Sequence, residues 1–140
     1  MPLPPDTDPL RHFGAAPSAG DIEEMGRRAL ASLPPEFLAQ CGNVALRVEE
    51  FADEETLADM DIEDPFELAG LYRGVPLTER GADDPTGLDI VFLYRRPILD
   101  WWAEGEDTLE HLIRHLVVHE IGHHFGYSDE AMEAVEEMGE

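Results

Sequence analysis

The run from His111 to Asp129, HLIRHLVVHEIGHHFGYSD, gathers most of the side chains in this chain that could do chemistry. Within it His119, Glu120 and His123 spell H-E-x-x-H, and Gly126 and Asp129 follow at fixed offsets. Residues four apart on a helix stand about 5–6 Å apart on one face, so His119 and His123 can grip one metal ion together. Glu120, one position along, is close enough to handle a bound water without ligating the metal. Gly126 has no Cβ and can take the left-handed conformation that ends a helix, so the chain can turn back and offer Asp129 as a third ligand. Two histidines and a carboxylate leave a fourth tetrahedral position open, the pattern of catalytic rather than structural zinc.

A chain this rich in Glu and His produces H-E-x-x-H by chance in about 3% of shuffled versions, and adding Gly126 and Asp129 lowers that to about 0.03%. The helical wheel adds independent support. Leu109, Leu112, Ile113, Leu116, Val117 and Ile121 define a buried face, and Glu120 falls near its midline. A bare carboxylate there would cost several kcal/mol, as a rough scale, without a cation or hydrogen-bond partner. A neighbouring metal would meet that need.

HEIGHHFGYSD fits H-E-x-x-H-x-x-G-x-x-D and resembles the motif of the Asp-zincins. Upstream, GLYRGVPLTER (Gly70–Arg80) and FLYRRP (Phe92–Pro97) resemble a family of short bacterial proteins that carry a minimal zincin-like metallopeptidase domain. The resemblance runs from about residue 20 to the C-terminus. It implies a zinc ion held by His119, His123 and Asp129, with Glu120 as general base. Zincins in general lay an extended substrate along an edge strand beside this helix. By that analogy the rim lies at Tyr72–Pro76 or Leu88–Tyr94. Met132 and Met138 follow the motif, but their acidic surroundings give no clear Met-turn of the kind larger metzincins have.

At 140 residues the chain makes one domain with a real core. Its net charge is -23, from 32 acidic against 9 basic residues, and all the basic ones are Arg. Such a surface repels nucleic acid and anionic membranes and attracts basic or unfolded cationic peptides. Without Lys there is no P-loop and no Schiff-base chemistry. The single cysteine, Cys41, excludes an intrachain disulfide and reads as a small buried apolar residue. No apolar run approaches membrane-spanning length, and the expected location is cytoplasmic.

Residues 1–18 are rich in Pro and small side chains and read as a disordered leader to a domain over 19–140. Apolar spacing predicts a helix over Asp21–Leu33, capped by Asp21 with Glu24, then a stop or short turn after Pro34 and Pro35. Val44–Phe51 alternates as a strand, and acidic Asp53–Asp64 holds at most a short helix. Glu67–Gly74 reads as a second strand and Thr78–Gly87 as a turn-rich loop. Leu88–Arg95 is apolar on both faces, which suits a central strand. Pro97 opens a helix carrying Trp101 and Trp102, Thr108 caps the motif helix, and Ser128–Met138 forms a last acidic helix. The fold class is α+β: a small mixed sheet of three to four strands packed with helices, the motif helix behind it.

Other candidates carry less. His111 and His115 continue the four-residue spacing, but the drift of the helix takes them off the ligand face and they read as exposed. His124 points away from the His119–His123 face and either braces the site or packs. Tyr72, Tyr94 and Tyr127 are donors within possible reach of a transition-state oxyanion, although ordinary packing explains each. Asp83 and Asp84, beside a proline, are turn formers. The first reading is a zinc-dependent peptidase acting on peptide or protein substrates, basic or unfolded ones above all. The second is a zinc-binding regulatory or protein-interaction module without turnover.

Overall fold

The computed structural model describes residues 15–39, 41, 44–74 and 89–126. Nine elements follow one another: α1 (Ala19–Ala31), α2 (Pro35–Leu38), β1 (Val44–Glu49), α3 (Glu54–Asp59), a 3-10 turn (Pro65–Glu67), β2 (Gly70–Arg73), β3 (Asp89–Tyr94), α4 (Arg95–Glu104) and α5 (Leu109–His124). The three strands form one mixed sheet in the order β1-β3-β2. β1 runs parallel to β3, with Leu46 opposite Val91, and β2 runs antiparallel to β3, with Tyr72 opposite Val91. The expected α+β class and the central place of the most apolar strand are both observed.

Alternation along β3 divides the core. Val91 and Leu93 face α1 and α5 and join Ile22, Ile98, Ile113, Val117 and Ile121 in the larger cluster. Phe92 and Tyr94 point to the other face, where Ala52, Leu68 and Leu71 cover them with Leu57 and Ile62. Period-two side-chain geometry makes this split unavoidable for a strand apolar on both sides. Helix α1 approaches the sheet at Gly26, where a Cβ would stand 2.6 Å from a Leu46 methyl.

Several boundaries differ from expectation, each for a local reason. α1 begins at Ala19 because Ser18, not Asp21, is its cap: the Ser18 hydroxyl accepts from the Asp21 amide, and Asp21 accepts from the Ser18 amide. That reciprocal capping box draws Ser18 into the fold. Pro17 is drawn in as well, since its carbonyl accepts from Arg95 Nε at 2.8 Å. The expected leader, 1–18, therefore ends too late by at least these two residues. β2 is shorter than Glu67–Gly74 because Asp64 accepts from the Phe66 amide and holds Pro65–Glu67 in a 3-10 turn. α4 starts at Arg95, two residues before Pro97, which falls in the first turn where its missing N–H is not needed. Thr108 caps α5 as expected, accepting from the His111 amide. The loop Thr78–Gly87 and the last acidic helix, Ser128–Met138, lie outside the described residues. No helix among the described residues is long and apolar enough to cross a membrane.

Candidate metal centre

α5 lies against the sheet face carrying Val91 and passes beside the outer edge of β2. Its apolar stripe fixes its rotation, with Ile113, Val117 and Ile121 almost wholly buried. Given that rotation, positions 119, 120 and 123 come out along the β2 edge. One donor atom from each of His119, Glu120 and His123 lies within 4.8 Å of the others. The two imidazoles meet edge to face with ring centres 5.3 Å apart. The helix ends as its sequence requires: Gly126 has φ 73, a left-handed conformation that releases the chain just after the second histidine.

Glu120 is 8% exposed, and the fold compensates it directly. Its Oε1 accepts from the backbone amide of Tyr72 at 3.0 Å. Gly70, two residues before Tyr72 on the same face of β2, lies against the same side chain: a Cβ there would stand 3.5 Å from Glu120 Cγ, an ordinary contact. Burial pushes the Glu120 carboxyl above its ordinary value, while His123, His119 and the Tyr72 amide pull it back. A buried acid poised between two imidazoles and one amide is a donor set suited to a cation.

Behind this edge lies a buried polar cluster that sequence reasoning did not single out. Tyr72 Oη donates to Asp89 Oδ1 at 3.0 Å and lies 3.4 Å from His124 Nδ1. Asp89 and His124 approach to 3.6 Å, and each is 1% exposed. Asp89 opens β3, pointing to the α5 face with Val91 and Leu93, so the three side chains tie β2, β3 and α5 together. An Asp leading an apolar strand was the available signal. Of the alternatives weighed for His124, packing is what its contacts show: it packs edge to face on Tyr72 and takes part in this cluster.

The remaining candidates separate cleanly. Tyr94 belongs to the second core, away from the histidines, and burial pushes its phenol up to about 12. His111 and His115 are exposed and do not join the His119–Glu120–His123 group. His111 instead lies 3.3 Å from Asp107. Cys41 is buried, and burial raises its thiol. Asp129, the expected third ligand, and Tyr127 lie outside the described residues. Of the expected rim Leu88–Tyr94, the described part, Asp89–Tyr94, is paired on both sides and cannot form it, and Val75, Pro76 and Leu88 lie outside the described residues. β2 is the edge strand, and no strand among the described residues pairs with its outer side.

Two cavities open along that edge and share Leu68, Gly70, His119 and Glu120. One, of about 450 Å³, is lined also by Met60, Leu71, Tyr72, Gly74 and His123. The other, of about 220 Å³, reaches past Glu67, Leu68 and Ala69 to His115, Leu116 and Trp101. Both are lined by His119 and Glu120.

A helix that presents H-E-x-x-H beside the edge strand of a small mixed sheet defines the zincin class of architecture. Residues 41–138 match the zincin-like metallopeptidase family, and the chain belongs to it. No curated protein matches the chain.

Proposed function

We propose that this protein is a zinc-dependent peptidase in which His119, His123 and Asp129 hold the metal and Glu120 is the general base. The observation that carries the reading is the position of Glu120: buried beside two histidines, held by a strand amide, and lining two cavities. A metal there for structure alone would leave that carboxylate without a task. The donor chemistry suits zinc, which when bound would polarise a carbonyl and bring the pKa of a water down to about 7.

The chain's own residues do the rest. The Tyr72 amide holds Oε1 of Glu120, fixing the carboxylate against rotation beside the histidines. Glu120 takes the proton of the attacking water as its oxygen bonds to the scissile carbonyl carbon. It then passes that proton to the amide nitrogen as the C–N bond breaks. The outer edge of β2 lies alongside for an extended peptide to follow. The charge of -23 favours basic or unfolded segments as substrates. A cytoplasmic location completes the reading, consistent with the one free thiol, Cys41.

Zinc-loaded wild type and Glu120→Gln, incubated with a broad peptide library and read by mass spectrometry, test this. Cleavage by wild type should fall by about 10²–10⁴ in the variant, the usual range for a lost general base, with fold and zinc retained. Cleavage at full rate in the variant means another base or a contaminant. Absence of cleavage by either protein, with zinc confirmed, favours a zinc-binding module without turnover.

A further inference from the structure

The smaller cavity is chemically unlike the larger one. Leu68, Ala69 and Leu116 form its back wall but are themselves buried, so they offer little surface to a ligand. What a ligand would meet is the ring of Trp101, 38% exposed, together with the exposed side chains of Glu67 and His115. Trp101 does not swing freely: its indole N–H donates to the Phe66 carbonyl at 2.8 Å, which spends the ring's only donor and holds its face in place. Glu67, the next residue, ends the same 3-10 turn. No ion pair joins Glu67 to a cation among the described residues. An aromatic face lining the same cavity as a carboxylate suits a cation on a long apolar stem. At about 220 Å³ the space is below the usual range of roughly 300–1,000 Å³ for small-molecule sites and suits one side chain.

We propose that the Trp101–Glu67 cavity is a specificity pocket for an arginine or lysine side chain of an extended peptide whose backbone passes the His119–Glu120–His123 cluster. This rests on the peptidase reading of that cluster only for the consequence that cleavage falls beside the basic residue. The stem lies on the Trp101 ring and the charged head meets Glu67. The charge of the whole chain draws basic peptides to every surface, whereas this pocket fixes which residue enters.

Binding is measured by fluorescence anisotropy in the full-length Glu120→Gln background, so that turnover does not consume the probes. Four labelled peptides of one sequence carry arginine, citrulline, norleucine or glutamate at the centre. The arginine peptide should bind about five-fold tighter than its neutral citrulline isostere, the scale of one partly exposed ion pair. Glu67→Gln should erase that gap, Glu67→Arg should turn it in favour of the glutamate peptide, and Trp101→Ala should weaken arginine and citrulline alike. Glu67→Gln removes one charge from a net of -23, so general attraction alone would leave the gap standing. A gap that survives both Glu67 variants overturns the pocket, as does equal binding of all four peptides or of none. Cleavage by the wild type is scored separately. Arginine-selective binding without cleavage sinks the peptidase and keeps the pocket, and cleavage without basic preference does the reverse.

Discussion

The carboxylate of Glu120 on α5 is held by the backbone amide of Tyr72 on β2, 48 residues earlier in the chain, at 3.0 Å. Because the donor is main chain, no substitution at 72 other than proline removes it. The side chain serves the same end differently, by bonding its hydroxyl to Asp89 at 3.0 Å and so tying the edge strand to the strand and helix behind it. The geometry of Glu120 therefore depends on strand register as much as on the motif itself.

Tyr72→Phe separates the two roles. It keeps the amide but leaves the 1% exposed Asp89 without its hydroxyl donor. Loss of one partner from a buried acceptor costs about 1–3 kcal/mol, and denaturant unfolding should show a drop on that scale. Zinc affinity should hold, since none of His119, Glu120 and His123 is altered. An unchanged unfolding midpoint would show that the hydroxyl bond contributes nothing.

Gly70, which opens β2, and Gly74, just past its end, allow a sharper comparison. Gly74 has φ 156, and a Cβ there would lie 1.9 Å from Asp89 Oδ1. Gly74→Ala must push aside a buried carboxylate in addition to straining the backbone, so a loss of more than about 2 kcal/mol is expected. At Gly70 the nearest atoms to a new Cβ are 3.5 Å away, an ordinary contact, and Gly70→Ala should be nearly neutral. Thermal melts of the two variants check this. Equal melting points would mean that Gly74 is not needed for the close approach.

Much of this was legible beforehand because it depends on local patterns. Thr108, the apolar stripe of α5 and Gly126 bracket the motif helix in sequence order, and β3 announced its central place by being apolar on both faces. The Asp89–Tyr72–His124 cluster was not legible, because it depends on which residues of three separate elements come opposite one another. The donor to Glu120 was hidden for the same reason: every residue but proline has an amide, and only register selects Tyr72. The start of α1 was missed on chemistry rather than distance. Asp21 looks like a cap, but as the third helical residue it serves the cap box of Ser18.

That correction is testable. Ser18→Ala should cost about 1 kcal/mol, the usual value of a lost N-cap hydroxyl. A chain beginning after Ser18 should also melt lower than one beginning after residue 14. Identical melts for the two truncations would restore the whole of 1–18 as a leader with no part in the fold.

The single thiol reports on the core. Cys41 is 7% exposed and burial raises its pKa, so both access and thiolate fraction are reduced. A disulfide reagent at pH 8 should label the native protein slowly and the denatured protein at once, to one thiol per chain. Rapid native labelling would place Cys41 at the surface.

The third metal ligand is the decisive chemical question. His119, Glu120 and His123 all have donor atoms within 4.8 Å of one another, so Glu120 could itself complete the set. Its bond from the Tyr72 amide argues for the other assignment, since one of its oxygens is already engaged. On the function proposed above, Asp129 is the third ligand and Glu120 is left for the proton. Two substitutions decide between them by zinc titration against a chelator. If Asp129 ligates, Asp129→Ala should lower zinc affinity at least as much as losses outside the ligand shell do, about 10–100-fold, and Glu120→Gln should change it little. His119→Ala and His123→Ala should fall as far as Asp129→Ala or further. The reverse pattern, with Glu120→Gln losing zinc and Asp129→Ala keeping it, would make Glu120 a ligand. The general base would then have to be sought elsewhere along the β2 edge.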